Sequence, residues 1–491
     1  MKKIILLLIA VMSFNLNIIA QNFETFNKYF IDKTMRIDYY HIGDADTELI
    51  TVDQVYQYGI WAGSRVRLID NFNNGRYYIK IYDAVSGELI FSKGFDSYFG
   101  EYKTSTAALE GIKKTFHESA LIPYPKSKII FTLERRDDKN SLNEFFRREI
   151  NPDDVDIKRD DLGDLSVMVF ETDENGDPHN RVDVVILGEG YTRLDKDNFL
   201  ADLAYFKKVF LSKEPFRSNK NNFNFYGVLK VSAESGTDEP RAGIFKNTVL
   251  NSTFNSMGIE RYLLTEDNKK MRDLAANVPY DVIYIMVNSS RYGGGGIYNS
   301  FCTFTSDNQW KDYVFLHEFG HSFGGLADEY YTSSTAYNDF YKRGVEPVEA
   351  NITALLDQQN LKWKEFVSSL TAVPTPWEKA GYDSMVNKWQ NERSELNKKI
   401  TELKKSHAPS DEILRAQQEY DLKDKIHANK VDEYLQKSKF KGIVGAFEGA
   451  CYSSLGLYRP MLDCIMFSKG DKPFCKVCEL AIRNVIDFYS E

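Results

Sequence analysis

The chain has 491 residues, a formal net charge of −9 and no concentrated block of basic residues. A negatively charged surface repels polyanions, so these features disfavour nucleic acids and anionic membranes as partners. A single hydrophobic core rarely extends over so long a chain, and the length therefore predicts two or three domains.

The first twenty residues have the pattern of a secretory signal peptide. Two lysines precede an apolar run from Ile4 to Phe14, and the apolar character ends near Ala20. We expect cleavage near Ala20, which predicts a mature chain in the periplasm or outside the cell. The apolar run is short for a membrane span, and no run of about eighteen or more apolar residues follows, so we expect no membrane insertion. The alternative is an uncleaved N-terminal anchor.

Residues 21–150 are rich in strand patterns and carry no cluster of catalytic residue types. The runs Tyr77–Tyr82 and Leu89–Phe91 flank a Ser-Gly turn, and Lys128–Leu133 is another strand pattern. Short strands separated by turns predict an immunoglobulin-like β-sandwich.

The acidic and polar residues 151–164 predict a linker to a second domain over residues 165–491. In this second domain, the apolar runs Val182–Leu187 and Tyr280–Val287 have the composition of buried strands. Asp195–Leu211 has the spacing of an amphipathic helix. Strands that alternate with helices predict an α/β arrangement. The fold class predicted for the whole chain is therefore α+β, a β-sandwich followed by an α/β domain.

The segment His317–Tyr331, HEFGHSFGGLADEYY, places two histidines four residues apart with a glutamate between them. On a helix, residues i and i+4 share one face, so His317 and His321 can bind one zinc ion while Glu318 faces the attacking water. We predict a helix over Tyr313–Phe323 that ends at the two glycines after it. The alternative is a pair of histidines without metal, and it is disfavoured because the chain has only seven histidines.

A zinc hydrolase uses a third protein ligand and leaves a fourth position for water. No other histidine stands in an obvious ligand pattern, so we predict a carboxylate. Metzincin-type sequences, HExxHxxGxx(H/D), would put this ligand at Ala327, which cannot bind metal, but one extra residue after Gly324 moves the position to Asp328. We predict that Asp328 is the ligand and that Glu329 orients a histidine N–H, with the exchange of these two roles as the alternative.

Residues 377–440 are dense in lysine, glutamate and glutamine. Apolar residues from Met385 to Leu403 keep a heptad spacing, and Ser410 is predicted to cap a second helix after a break. The pattern predicts a helical hairpin inserted in the second domain. A spacer, a dimerisation arm and a substrate-gathering element are the alternatives for its role, and the sequence predicts no oligomeric state.

Four of the five cysteines lie near the C-terminus, and four cysteines allow three disulfide pairings. In an exported chain we expect disulfide bonds in this region. A zinc site with four thiolates and a CxxC redox centre are weaker alternatives. The fifth cysteine, Cys302, is predicted to be a buried thiol. The C-terminal four are Cys451, Cys464, Cys475 and Cys478.

Three further segments follow the predicted hairpin, namely Gly445–Gly449, Tyr458–Pro460 and Asp463–Phe467. Together with HEFGHSFGGLADEYY and the Val-Val-Ile-Leu-Gly-Glu-Gly-Tyr strand, they resemble the IgA-peptidase family of secreted bacterial zinc metallopeptidases, which is metzincin-like. The resemblance covers most of residues 180–491 and, more loosely, the β-sandwich. It implies a metzincin-like domain in which Met466 is the Met-turn residue beneath the zinc ligands.

One departure from the metzincin pattern concerns a tyrosine. Some metzincins have a tyrosine two residues after the Met-turn methionine, where this chain has Ser468. Tyr330 and Tyr331 are closer to the motif and are candidates for a supporting role. The resemblance implies no particular substrate, so cleavage of immunoglobulin A is not predicted.

The predicted function is that of a secreted zinc-dependent endopeptidase acting on protein or peptide substrates. Zinc on His317, His321 and Asp328 would activate a water molecule, and Glu318 would accept its proton as general base. One alternative is an exported binding protein for a carbohydrate or protein ligand, with a structural zinc site and no turnover. Another is an exported zinc amidase that acts on cell-wall peptides.

Overall fold

A computed structural model of the chain describes residues 24–159, 164–173, 175–332, 341–342 and 344–490. The predicted signal peptide, residues 1–20, and residues 160–163 of the predicted linker lie outside these ranges. The described residues form a mixed α+β structure, as the sequence predicts. Within them, no helix combines the length and the apolar character that a membrane crossing requires.

The helices are α1 (Tyr98–Tyr102), α2 (Thr106–Leu109), α3 (Lys196–Phe210), α4 (Asn268–Ala275), α5 (Lys311–Ser322), α6 (Lys379–Lys405), α7 (Ser410–Gln436) and α8 (Lys476–Ser490).

The N-terminal part contains two antiparallel sheets that share one hydrophobic core. Alternate side chains of a strand point to opposite faces of its sheet, and the inward ones, such as Ile37 and Phe131, are fully buried. The predicted N-terminal β structure is therefore present. Its strands are β1 (Phe30–Gly43), β2 (Glu48–Tyr58), β3 (Tyr77–Asp83), β4 (Leu89–Phe95), β5 (Lys114–Pro125), β6 (Ile129–Arg136) and β7 (Leu142–Ile150).

The strand order of these two sheets differs from that of an immunoglobulin domain. One sheet has the order β2-β1-β5 and the other has the order β4-β3-β6-β7. In an immunoglobulin domain the second strand lies between the first and the fifth, whereas here β1 takes that position. Strand β1 is buried without interruption from Thr34 to Tyr39, while β2 is partly exposed, and burial on both faces suits a central strand.

The C-terminal part is built on a six-stranded mixed sheet with the order β12-β13-β11-β9-β10-β8. The four inner strands run parallel, and the two edge strands run antiparallel to their neighbours. Continuous apolar runs predicted two of these inner strands, β9 and β11, and both are buried at every residue. The strands are β8 (Met168–Asp173), β9 (Val182–Glu189), β10 (Phe223–Leu229), β11 (Val282–Val287), β12 (Gly294–Ile297) and β13 (Phe301–Thr305).

Each face of the six-stranded sheet is covered by a different layer. Val184 and Ile186 of β9 belong to a core that also contains residues of α3, α5 and α8. The intervening Val185 and Leu187 belong to a second core that contains residues of α4 and Phe99 of α1. Because successive strand residues point to opposite faces, the helix with the HExxH motif lies on one face and the N-terminal part packs on the other.

Helices α6 and α7 form the helical hairpin that the charged, heptad-spaced segment predicts. Trp389, Leu396 and Ile400 of α6 pack against Ala416 and Tyr420 of α7. The expected cap differs: α7 begins at Ser410 itself, and no side-chain hydrogen bond caps it. A two-stranded sheet, β14 (Val444–Ala450) and β15 (Ser453–Met461), follows the hairpin and leads to α8.

Candidate metal centre

Helix α5 carries the HExxH motif and lies beside the edge strand β12. It begins two residues earlier and ends one residue earlier than predicted, a difference within the usual variation of helix ends. Beyond the helix, Gly325 has a left-handed φ of +58°, which a residue with a side chain rarely adopts. The chain reverses at this glycine and returns towards the helix.

Three donor atoms converge beside α5. The Nε2 atoms of His317 and His321 lie 3.1 Å apart, and Asp328 Oδ1 lies 3.0 Å and 3.2 Å from them, respectively. Ligand atoms about 2.0–2.2 Å from a tetrahedral zinc ion lie about 3.3 Å from one another, so a single ion can contact all three atoms. The structure thus brings together the residues predicted as ligands, while metal binding by them stays a prediction.

The second ring nitrogen of each imidazole, Nδ1, is hydrogen-bonded to a backbone carbonyl oxygen. His317 Nδ1 lies 3.0 Å from the oxygen of Ile465, and His321 Nδ1 lies 2.6 Å from the oxygen of Leu326. A carbonyl can only accept, so each Nδ1 carries the proton and each Nε2 keeps a lone pair for a metal. The prediction that Glu329 orients a histidine N–H is wrong, because these carbonyls already accept both N–H groups.

Asp328 is the buried carboxylate that faces the two imidazoles. Its Oδ2 accepts a hydrogen bond from the Tyr452 hydroxyl, whereas its Oδ1 has no hydrogen-bond partner in the described part of the chain. Burial alone would raise the pKa of Asp328, but His321 and His317 lower it well below its ordinary value. A buried anionic oxygen is costly without a compensating positive charge, and two nitrogens with one carboxylate are a common donor set for catalytic zinc. The residues therefore fit a metal ion.

Glu318, the predicted general base, is buried beside these donors. Its Oε1 would lie 3.0 Å from a Cβ atom placed on Gly294 of β12, and its backbone oxygen would lie 2.6 Å from one on Gly296. The glycines of β12 therefore let the strand approach the helix at Glu318. Burial raises the pKa of Glu318, and the two imidazoles oppose this rise.

The glycine-rich strand β12 does not offer a free edge at Gly294. Glycines on an edge strand can let an extended substrate add to the sheet as a further strand. In the structure the N–H of Leu263 donates to the oxygen of Gly294 at 3.2 Å, and Tyr262 bridges the same residue. A substrate strand cannot add at this residue because the chain itself takes up the hydrogen-bonding position.

Two residues that the sequence did not single out fix the segment around Asp328. The buried Asn351 accepts the N–H of Ala327 at 2.9 Å and donates to the oxygen of the same residue at 2.8 Å. The N–H of Cys451 donates to the oxygen of Asp328 at 3.0 Å, and Tyr452 binds its carboxylate as described above. No local motif marks Asn351 or Tyr452, since both act through contacts that are distant in sequence.

Met466 lies under the middle of α5. Its sulfur would be 2.8 Å from a Cβ atom on Gly320, the residue before His321, and its backbone oxygen accepts the N–H of Glu329 at 2.8 Å. Met466 therefore contacts the helix that carries the imidazoles and supports the chain just beyond Asp328. Its Met-turn role stays a prediction.

Tyr330 and Tyr331 point in different directions. The Tyr330 ring is stacked near that of His317 at 6.1 Å, and its hydroxyl accepts from Arg261 at 3.1 Å. The Tyr331 hydroxyl instead donates to Asp383 of α6 at 2.6 Å. Only Tyr330 of this pair therefore lines the cavity of the candidate metal centre.

Comparison with known families agrees with this geometry. A family model described as IgA peptidase M64 matches residues 170–486, and one described as the peptidase M64 N-terminus matches residues 25–147. The chain belongs to the M64 peptidase family. A search of curated proteins found no match to it.

Membership in the M64 family confirms the resemblance that the sequence motifs suggested. The M64 family is one of metallopeptidases, so the chain is a peptidase that acts on protein or peptide substrates. The match does not favour the alternative of a binding protein without turnover.

The cleft of this M64 peptidase extends on both sides of Glu318. One side reaches residues of the N-terminal part, and the other reaches the helical hairpin. Burial raises the pKa of Glu101, on the N-terminal side, to about 7. This contribution of Glu101 was not predicted, because strand patterns do not indicate which domain packs over a site. The lining residues include Gly75, Asp96 and Glu101 on the first side and Tyr382, Val386 and Trp389 on the second.

The cysteines of the M64 peptidase do not form the expected disulfides. All five lie within the described residues, and all are free and buried. Cys464, Cys475 and Cys478 instead converge on the carboxylate of Glu329, so their sulfurs face one centre and are not joined in pairs. The expectation of a buried Cys302 thiol is confirmed.

Proposed function

We propose that this M64 peptidase is a secreted, zinc-dependent endopeptidase whose zinc ligands are His317, His321 and Asp328. The convergence of their three donor atoms, with the buried Asp328 Oδ1 left without a hydrogen-bond partner, carries the proposal. Catalytic zinc sites use three protein ligands and keep one position open, and these three atoms line a cleft. The arrangement is metzincin-like in this respect, with Met466 beneath the helix.

Glu318 is the general base in this proposal. Bound zinc would polarise the scissile carbonyl and acidify the attacking water. Glu318 accepts the proton of that water and returns it to the leaving amine, so the same carboxyl must gain and lose a proton in each cycle. A pKa raised by burial suits this double role.

In this proposal, Arg261 and Tyr330 stabilise charge during the reaction. Arg261 donates to the Tyr330 hydroxyl at 3.1 Å, and both residues line the cavity around Glu318. A cation and a hydroxyl at this point can stabilise the negative charge that develops on the carbonyl oxygen during amide hydrolysis. Tyr330 thereby supplies the supporting group that Ser468 does not provide.

Endopeptidase activity, as opposed to trimming of chain ends, is proposed from the shape of the cleft. The cavities on both sides of Glu318 share His317, Glu318, Arg261 and Tyr330, so the cleft continues past the reacting position in two directions. A polypeptide can therefore extend from the scissile bond towards the N-terminal part and towards the helical hairpin.

The localisation in this proposal rests on the sequence of residues 1–20 alone. Two lysines and a short apolar run suit export followed by cleavage near Ala20. N-terminal sequencing of the protein released from its source cells tests this point, and a mature chain that begins near Gln21 is the expected result.

The test of the mechanism uses peptides whose N-terminus is acetylated and whose C-terminus is amidated. We expect wild-type protein to cut internal bonds, a chelator to abolish cutting and added zinc to restore it. The Glu318→Gln variant should retain its metal, but its cleavage rate should fall by about 10²–10⁴-fold, the usual contribution of a general base. Glu365→Gln, at an exposed glutamate, is the matched control and should cut at the wild-type rate.

Three outcomes would contradict the proposal. Wild-type cleavage rates in Glu318→Gln would remove the general base, and cleavage that resists chelation would remove the metal. Cleavage of peptidoglycan peptides with no cleavage of any protein or blocked peptide would favour the amidase alternative.

A further inference from the structure

A second group of metal-binding residue types lies behind the candidate metal centre. Glu329, Cys464, Cys475 and Cys478 are all buried, and each offers one ligand atom within 4.8 Å of the other three. We propose that these four residues form a closed, structural site for one thiophilic divalent cation, for which zinc is the best fit. This inference does not depend on the proposed peptidase mechanism.

The distances in this group match those around one tetrahedral ion. Cys478 Sγ lies 3.2 Å from Glu329 Oε1, 3.5 Å from Cys475 Sγ and 3.9 Å from Cys464 Sγ. Cys475 Sγ lies 4.0 Å from Glu329 Oε1. With zinc–sulfur bonds of about 2.3 Å and zinc–oxygen bonds of about 2.0–2.2 Å, tetrahedral ligand atoms lie about 3.5–3.8 Å apart.

Glu329 is the member of the group that most needs a cation. Its Oε1 accepts from Asn351 at 3.1 Å, but its Oε2 is buried and has no hydrogen-bond partner in the described part of the chain. An unpaired buried carboxylate oxygen is costly unless a cation or a donor compensates it. A metal ion among the three sulfurs would supply that compensation.

The surroundings of the sulfurs also suit thiolates. Cys464 Sγ accepts backbone N–H groups from Met466 at 3.5 Å and from Cys475 at 3.2 Å. Cys475 and Cys478 lie at the N-terminal end of α8, where the positive end of the helix dipole stabilises anionic sulfur. Such N–H groups and dipoles are typical of the second layer around a metal–thiolate centre.

A buried arginine reduces the negative charge of this group. Arg459 is fully buried, and its guanidinium donates at 3.4 Å to the backbone oxygen of Leu462, two residues before Cys464. Three thiolates and one carboxylate carry four negative charges, and a divalent cation with one guanidinium leaves a single net negative charge.

The proposed ion would join three parts of the chain that also hold the catalytic donors. Ile465, next to Cys464, accepts the His317 Nδ1 proton, and Met466 accepts the N–H of Glu329. Glu329 itself follows Asp328. A metal at Glu329, Cys464, Cys475 and Cys478 therefore fixes two of the three peptidase ligands through the residues beside them, and it fastens both to α8.

The decisive experiment removes the catalytic ligands and keeps the proposed site. We expect the double variant His317→Ala/His321→Ala, purified without chelator, to retain one metal ion per chain by mass spectrometry. Its zinc X-ray absorption should show sulfur neighbours at about 2.3 Å. Retention of no metal, or of a metal without sulfur neighbours, would overturn the inference, whereas an inactive wild-type protein would leave it intact.

A thiol titration separates the metal site from a disulfide. We expect all five cysteines of the denatured, chelated protein to react with a thiol reagent, because a metal site keeps every cysteine reduced. Only three reactive thiols would indicate a disulfide within the group and would overturn the inference.

A pair of cysteine variants provides the matched comparison. Cys478→Ser should lose one of two metal ions and melt at a lower temperature than the wild-type protein. Cys302→Ser, at a buried thiol outside the group, should keep both ions. Equal metal content in the two variants would contradict the assignment of Cys478, and should Cys478→Ser not fold, the double histidine variant still decides.

Discussion

Two buried clusters are built on the consecutive residues Asp328 and Glu329, and they differ in how many donor atoms surround the centre. The outer cluster lies around Asp328, where two imidazole nitrogens and one carboxylate oxygen converge beside a cleft; the cluster around Glu329 is the inner one. Around Glu329, three sulfurs and a carboxylate oxygen converge in the interior. Three donors leave a position for water and substrate, whereas four donors close the coordination shell.

The comparison teaches how one short turn can serve two centres. The segment after α5 has no helical or strand structure, so adjacent side chains can point to different sides. Asn351 hydrogen-bonds both to the backbone of Ala327 and to Glu329, and thereby holds the turn between the two clusters. A metal ion bound at Glu329 would hold this turn from the inside and thereby position Asp328 beside the two imidazoles.

The largest predicted effect on metal binding and activity comes from replacing the carboxylate of each cluster by its amide. Asp328→Asn should lose the metal of the outer cluster, and its cleavage rate should fall at least about 100-fold. Loss of a ligand should cost more than loss of a residue that only supports a ligand, which costs about 10–100-fold. Glu329→Gln should keep most activity at room temperature but bind the inner metal more weakly. Metal analysis, cleavage assays and melting curves of both variants check this prediction.

The same pair of variants can break the comparison. If Asp328→Asn keeps the outer metal while Glu329→Gln loses it with all activity, the two roles are exchanged. If both variants lose both metals together, the clusters are one cooperative site and the distinction between open and closed centres is wrong.

A smaller effect is predicted for Gly294→Ala, which tests the open side of the outer centre. The new Cβ would lie 2.6 Å from Val314 Cγ1, 2.8 Å from the backbone oxygen of Thr303 and 3.0 Å from Glu318 Oε1. The strand or the helix must shift, and a misplacement of about 1 Å can cost about 100-fold in rate. We expect kcat/KM to fall by about 10–100-fold with both metals retained, and Ile297→Val on the same strand to have little effect.

The local parts of the site could be predicted from the sequence, and the distant contacts could not. The i, i+4 spacing predicted that His317 and His321 face the same point, and the extra residue after Gly324 predicted that Asp328 reaches them. These features depend on one helix and one turn. The direction of the neighbouring Glu329 depends on Cys464, Cys475 and Cys478, which lie more than a hundred residues further along the chain, and so it was predicted wrongly.

The fold shows the same division. Continuous apolar runs predicted β9 and β11, two of the parallel strands of the six-stranded sheet, and heptad spacing predicted the helical hairpin, since both patterns are local in the sequence. The order of β1 and β2 was not predictable, because it depends on which strands meet after the chain has folded. The contribution of Glu101 to the cleft depends in the same way on the packing of the N-terminal part.

Loss of the Tyr452 hydroxyl should have a moderate effect confined to the outer centre. This hydroxyl donates to Asp328 Oδ2 and so orients the carboxylate whose Oδ1 faces the imidazoles. We expect Tyr452→Phe to bind the outer metal about 10-fold more weakly, at the low end of the range for such partners. Competition with a chelator measures this affinity. Tyr458→Phe on β15 is the control, and an equal loss of affinity in both variants would contradict the role of Tyr452.

The last predicted effect is on stability and not on catalysis, and it concerns acid and the hairpin that lines the cleft. His427 of α7 stacks on Trp389 of α6 at 5.2 Å. Burial lowers its pKa to about 4, helped by Lys469, Lys430 and Arg393 and opposed by Asp424. The folded hairpin therefore favours neutral His427, so this stability is complete above pH ~6.5 and is lost as the pH falls towards 4. After allowance for partial exposure, we expect the stability of the hairpin to fall by about 1–2 kcal/mol near pH 5.

Hydrogen exchange of residues 379–436 at pH 7 and pH 5 measures this loss of stability, with His427→Gln as the variant that cannot gain the proton. Equal acid sensitivity of the wild-type protein and His427→Gln would mean that His427 does not make the hairpin sensitive to pH. Faster exchange in α8 than in the hairpin would mean that the inner cluster around Glu329 is more acid-sensitive than the hairpin beside the cleft.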